Sequence, residues 1–189
     1  MAAAADPAQG FRLRRAAAAL HAGAVIAYPT EAVWGLGCDP ANAAAVLRLL
    51  ALKHRPLDKG LILIAADAAQ LRAFLAPAAL PEPVTASWPG PSTWLLPAAA
   101  DTPRWLTGEH DTLAVRVTAH PLAAALCRAF GGPLVSTSAN RAGRPPAKSA
   151  LAVRREFADD LDLIVNGPLG ALARPTPIRD GRSGAYLRR

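Results

Sequence analysis

Apolar and polar positions fall into blocks along this chain, and the period changes from block to block. Residues 11–22 carry apolar side chains at helical spacing and stop at Gly23, which predicts an amphipathic helix. The apolar run 24–28 that follows predicts a buried strand. Asp39 and Pro40 read as the N-cap and first position of a second helix that runs to Lys53 and ends before Pro56. A strand over 61–65 and a short helix from Asp67 to residue 75 come next, followed by an irregular stretch set by Pro77, Pro81, Pro83, Pro89 and Pro91.

Strands are predicted over 93–96 and 113–117, a helix over 120–130 closed by Gly131 and Gly132, and a strand over 134–137. A polar loop, 138–148, leads to a helix over 151–157, a strand over 161–165 and two short strands near the end. The alternation is too irregular for a doubly wound fold. It predicts an α/β (α+β) domain with a twisted mixed β-sheet and flanking helices. No repeat or linker divides the chain, so one domain over 11–189 is expected behind a flexible 1–10.

Composition changes this picture only slightly. With 52% hydrophobic residues, 189 residues are enough for a core without cross-links, and Cys38 and Cys127 have neither disulfide nor zinc spacing. A reducing, cytoplasmic setting fits. Arg12, Arg14 and Arg15 precede an alanine-rich run in the manner of an export signal. Alanine is weakly apolar, however, and His21 and Gly23 interrupt the run, so a soluble protein without a membrane span is expected. The net charge of +7 calls for an acidic partner: nucleic acid, a membrane surface or a polyphosphate.

Three segments could hold such a partner. Thr30, Glu31, Gly35 and Gly37 follow the first strand, where a loop can offer a hydroxyl and bare amides to a small ligand; a simple strand-to-helix connection is the plainer reading. Lys53, Arg55 and Lys59 surround His54 between a helix end and a strand. Cations favour a helix C-terminus, but Lys59 lies beyond it, and the cluster suits a triphosphate. Ser136, Thr137, Ser138 and Asn140 put three hydroxyls and an amide after another strand, more than one polar turn requires. Arg116 lies inside an apolar strand and needs an anionic partner, for which a ligand carboxylate and an internal Asp or Glu serve equally well.

Taken together, Lys53-His54-Arg55 followed by Ser138-Ala139-Asn140, with the flanking YPTEAVWGLGCDP, KHRPLDKGLILIA, WPGPST, LAVRVTAHPL and LVSTSANRAG strings, resemble the YrdC/TsaC family of threonylcarbamoyl-AMP synthases. The likeness runs from about Phe11 to Arg188 and is closest to the short bacterial branch. It implies a twisted α/β sheet with a large basic concave cavity. It also implies condensation of L-threonine, bicarbonate and ATP to threonylcarbamoyl-adenylate and pyrophosphate, the first step of a tRNA modification.

The resemblance implies that Lys53 and Arg55 are catalytic and contact the ATP phosphates. ATP would also meet Lys59, Thr93, Ser138, Asn140 and Arg188, while Thr30, Arg116, Ser136 and Thr176 would hold L-threonine. No metal ligands are implied on the chain, and Mg2+ would enter with the ATP phosphates. Partners would be the downstream threonylcarbamoyl-transfer proteins and tRNA. Two positions depart from the longer branch: Ile64 replaces a threonine-binding His and Pro146 a nucleotide-contacting Ser. An RNA-binding or ribosome-assembly module is the alternative from another class, but at 5% aromatic residues the chain lacks stacking platforms. Hydrogenase-maturation carbamoyltransferases are an enzyme alternative, though they carry added modules.

Overall fold

A computed structural model describes residues 7–78 and 80–188. Its strands are β1 (Ile26–Pro29), β2 (Trp34–Gly37), β3 (Ile62–Ala65), β4 (Thr93–Pro97), β5 (Thr112–Val117), β6 (Leu134–Ser138), β7 (Leu163–Ile164), β8 (Ile178–Asp180) and β9 (Tyr186–Arg188). The helices are α1 (Pro7–His21), α2 (Ala43–Lys53), α3 (Glu82–Ala86), α4 (Arg104–Thr107), α5 (Pro121–Phe130) and α6 (Ala150–Phe157). The strands form one sheet in the order β7-β1-β2-β6-β3-β5-β4-β8-β9. Three pairs, β1/β7, β3/β5 and β4/β8, are parallel and the rest antiparallel, so the sheet is mixed, as the irregular alternation predicts.

The period-two alternation of each strand gives the sheet two different faces. Ala27, Leu36, Leu63, Ala65, Val115, Val117 and Val135 point into the main core, where they meet Val46, Leu49 and Leu50 of α2 and Phe157 of α6. Ile26, Tyr28, Ile64 and Leu134 point the other way, against Ala16 and Leu20 of α1 and Leu122 and Leu126 of α5. Each fully buried Leu or Ile contributes about 1.5–3 kcal/mol. The α1/α5 layer is short and covers only part of its face. Registers Ile62↔Ser136, Ile62↔Ala114, Ile64↔Arg116 and Gly35↔Ser138 carry that same face on past the helices, where its side chains line a cavity instead of a core.

The elements differ from the expected ones where local signals compete. β2 lies in what reads as a loop. Its second glycine is a packing requirement, because a Cβ on Gly37 would stand 2.4 Å from the Val135 carbonyl and 2.8 Å from the Tyr28 ring. The N-cap of α2 is Asn42, whose Oδ1 accepts from Ala45 N at 3.0 Å. Asp39 instead accepts from Ala41 N at 2.8 Å, in a turn just ahead of the cap. Helix α1 starts at Pro7, so 7–10 of the expected flexible segment are helical, while 1–6 lie outside the described residues. Short α3 and α4 fall in proline-interrupted sequence, where periodicity has no room to show.

Helix α2 ends on Lys53, and its C-cap His54 takes the left-handed conformation at φ 50°, ψ 42°. A side chain there meets the following carbonyl, at a cost of roughly 1–2 kcal/mol that glycine avoids. Glycine gives back about 0.5–1 kcal/mol in chain entropy. His54→Gly is therefore expected to stabilise the protein by up to ~1 kcal/mol in urea unfolding, and His54→Val to destabilise it. Gly37→Ala should cost roughly 1–3 kcal/mol in the same measurement through overpacking against backbone.

Candidate active site

Arg116 is the charged residue of an otherwise apolar β5 and is 4% exposed. Its guanidinium is held on two sides. Nη1 donates to Thr93 Oγ1 at 3.0 Å and to Thr176 Oγ1 at 2.7 Å, while Nη2 donates to Glu31 Oε2 at 3.3 Å. Glu31, 6% exposed, also accepts from Thr118 Oγ1 at 2.5 Å. Of the two partners open to Arg116 from sequence, the internal carboxylate is thus present, and it is Glu31. The pairing leaves Arg116 Nε buried without an acceptor, on a residue that lines the cavity.

A second construction joins the end of α2 to the loop after β6. Lys53 is 4% exposed, and its Nζ donates to the carbonyls of Ser138 and of Asn140, the latter at 2.7 Å. Lys53 O accepts from Ala142 N at 2.9 Å, and Arg141 Nη1 donates to Leu52 O at 3.1 Å. Within the loop, Ser138 Oγ donates to Asn140 Oδ1 at 2.6 Å, and Asn140 Nδ2 donates to Arg144 O at 2.8 Å. The Lys-x-Arg and Ser-x-Asn motifs are therefore one hydrogen-bonded unit. The reversal at His54 sends Lys53 into the loop and Arg55 toward the cavity.

The cavity encloses about 460 Å³. Thr30, Arg55, Lys59, Arg116, Ser136, Ser138, Thr176 and Arg188 all line it, so most of the residues singled out from sequence converge on one space. Lys53, Thr93 and Asn140 stand one layer back, holding residues that do line it. Pro146 is in the wall, whereas Ile64 is fully buried beneath α1 and α5 and does not reach the cavity. The sequence names Gly35 for its bare amide and Glu31 as the carboxylate of the same loop, but it points to neither Thr107 nor His110, which also line the cavity. Glu31 stands in a motif already singled out, while Thr107 and His110 follow a proline-interrupted stretch that carries no signal.

Electrostatically the cavity is cationic. No Asp or Glu side chain belongs to its described wall. Arg55 donates to Gly60 O at 2.9 Å, leaving its Nε buried without an acceptor, and Arg188 donates to Thr176 O at 2.8 Å. Burial lowers the pKa of both, and the charges of Arg116 and Arg55 lower that of Arg188 further. Burial and, at Arg188, neighbouring cations both disfavour the charge, and an anionic ligand would relieve them. Burial also pushes the Cys38 and Cys127 thiols up to about 12, so neither is a nucleophile near neutral pH. Among the described residues no helix is long and apolar enough to cross a membrane, and no cluster of three or more His, Cys, Asp or Glu is placed to hold a metal ion.

A half-covered mixed sheet, with its open half walled by guanidinium groups and hydroxyls, defines an α/β domain whose cavity suits a small anionic ligand. A family model described as "Telomere recombination", covering Sua5, YciO and YrdC, matches residues 18–189, and the chain belongs to that family. The threonylcarbamoyl-AMP synthase of Halorhodospira halophila is 67% identical over 181 residues, 95% of each chain. The protein of the same name from Alkalilimnicola ehrlichii is 61% identical over 94% of this chain and 95% of its own. Among solved structures, P. abyssi Sua5 complexed with L-threonine matches with a TM-score of 0.84 at 34% identity. That match takes in 90% of this chain and 51% of the other, so this chain spans about half of that protein's length. E. coli YciO matches with a TM-score of 0.83 at 27% identity, over 97% and 91% of the two chains.

Lys53 provides a test of the clasp. Burial, with the charge of Arg55 next in size, lowers its pKa from 10.5 to about 8. The native state therefore releases this proton before the unfolded chain does, and the contribution of Lys53 to stability rises with pH between about 8 and 10.5. Urea unfolding of the wild type should gain roughly 2 kcal/mol between pH 7.5 and pH 10 relative to Lys53→Met. Parallel pH profiles for the two proteins would place the amine in solvent.

Proposed function

We propose that this chain is a threonylcarbamoyl-AMP synthase, condensing L-threonine, bicarbonate and ATP to threonylcarbamoyl-adenylate and pyrophosphate. The observation that carries the reading is the placing of two sets of donors in one cavity. Arg116, with an uncommitted Nε, stands beside Thr30, Ser136 and Thr176, while Arg55 and Lys59 stand before the start of β3. One set suits the carboxylate and hydroxyl of an amino acid, the other the phosphates of a nucleotide. Relatives that carry the synthase name align over nearly their whole length.

In this reaction the amine of threonine becomes a carbamate with bicarbonate, losing water. A carbamate oxygen then bonds to the α-phosphorus as the bond to pyrophosphate breaks. Neither step requires a protein nucleophile. The work of the chain is to align two anions that repel each other and to offset the charge that moves onto pyrophosphate. In this scheme Arg55, Lys59 and Arg188 face the phosphates, Ser138 lines the nucleotide side, and Thr30, Arg116, Ser136 and Thr176 hold threonine. Lys53, Thr93 and Asn140 act through the residues they support. Mg2+ enters on the phosphates of ATP, since the described cavity wall offers it no carboxylate. The product passes to threonylcarbamoyl-transfer proteins that act on tRNA, in the cytoplasm. A concave space of this size fits a nucleotide and an amino acid, whereas an RNA helix needs a broad exposed basic face.

Pyrophosphate release from ATP decides the matter. It should require both L-threonine and bicarbonate, and release independent of either would contradict the synthase reading. Arg55→Ala should lower kcat/KM by about 100-fold or more with an unchanged melting temperature.

A further inference from the structure

We propose that Glu31 is a positioning residue that fixes the guanidinium of Arg116 for the amino-acid substrate, and that Thr118 in turn fixes Glu31. The inference rests on the synthase reading of the cavity. Neither side chain lines that cavity. Both are buried, Glu31 behind Arg116 and Thr118 just past the end of β5. Thr118 is itself anchored, because its N donates to Ala65 O at 3.0 Å and its Oγ1 accepts from His120 N at 3.1 Å, where α5 begins. Its short 2.5 Å bond to Glu31 Oε1 then aims the second carboxylate oxygen at Arg116 Nη2.

Donor counting shows what this achieves. A guanidinium has five N–H groups in one plane. Both hydrogens of Nη1 are committed to Thr93 and Thr176, and one of Nη2 to Glu31. With acceptors on both terminal nitrogens the plane cannot turn. Nε–H and one Nη2–H remain, two donors for the two oxygens of a carboxylate. Glu31 also supplies the countercharge that lets Arg116 stay at this spot beside the other cations of the cavity while no substrate is bound. The backbone contributes as well: Glu31 O accepts from Leu172 N at 3.0 Å and Thr30 O from Gly170 N at 2.9 Å, tethering the segment that carries Thr176. Changing only the Glu31 side chain leaves those tethers in place.

The test measures KM for L-threonine and KM for ATP separately, by steady-state pyrophosphate release. Glu31→Ala should raise the KM for L-threonine about tenfold or more, with the KM for ATP within about twofold. Glu31→Gln, whose amide oxygen can accept from Nη2, should recover most of that loss. Thr118→Val, which removes only the aiming bond, should raise the KM for L-threonine several-fold, and it decides the matter if Glu31→Ala does not fold. A residue that merely neutralises a buried cation would change both KM values together or only the melting temperature. Either result, or an unchanged KM for L-threonine in Thr118→Val, overturns the proposal. Wild-type protein without threonine-dependent release would mean instead that the synthase reading itself is wrong.

Discussion

A permanently charged guanidinium lies inside an apolar strand, and much of the molecule is arranged around satisfying it. Leaving Arg116 unpaired at 4% exposure would cost several kcal/mol. Its partners come from three distant parts of the chain: Glu31 from the β1–β2 turn, Thr93 from the start of β4, and Thr176 from the segment before β8. Meeting that one requirement draws these segments into a wall. The cavity and the fold therefore rest on the same contacts, and the cation that lines the cavity is also the one that organises the surrounding loops.

The cavity itself follows from incomplete coverage of a sheet face. α1 and α5 cover Ile26, Tyr28, Ile64 and Leu134, after which the face continues with Ser136, Ala114 and Gly35. Small and hydroxylated residues there hold space open where larger apolar ones would require a helix above them. Behind this wall, Lys53 and Asn140 fix the loop after β6 through carbonyl and side-chain bonds, so the lining residues are held by residues the ligand need not touch.

Apolar runs are legible from sequence: β1, β3, β5, β6 and α5 fall close to where their patterns place them, and Gly131 ends α5 as its residue type suggests, whereas His120 is its N-cap rather than its first residue. β2 was not legible, because a strand of four residues with two glycines looks like a turn. Only the contact of Gly37 with Val135 and Tyr28 explains its composition. The start of α2 was misplaced because Asp39-Pro40 and Asn42 are both capping signals, and geometry selected the later one. For the site, residue types identified the lining well, but not depth. Whether Lys53 or Thr93 meets a ligand or supports a neighbour depends on which way a backbone turns, and left-handed residues such as His54 leave no periodic trace. The sequence calls for an anionic partner to Arg116, but which carboxylate supplies it depends on long-range pairing, over 85 positions to Glu31, that local pattern does not display.

The C-terminal hairpin gives the cavity an uneven border. β8 and β9 are three residues each, at the edge of the sheet, and the side chains of β9 are exposed, yet Leu187 and Arg188 belong to the cavity wall. The opposite wall is continuous with the main core and is stitched by Lys53, Arg141 and the Glu31 network. Local opening follows the weakest packing, so the terminal hairpin is the side of the cavity held by the fewest contacts and the sheet centre the side held by the most. Thr176, which holds one side of the Arg116 guanidinium, also accepts from Arg188 of β9, so this thin border and the buried cation share a residue, and loosening the edge of the sheet loosens the seat of the guanidinium as well.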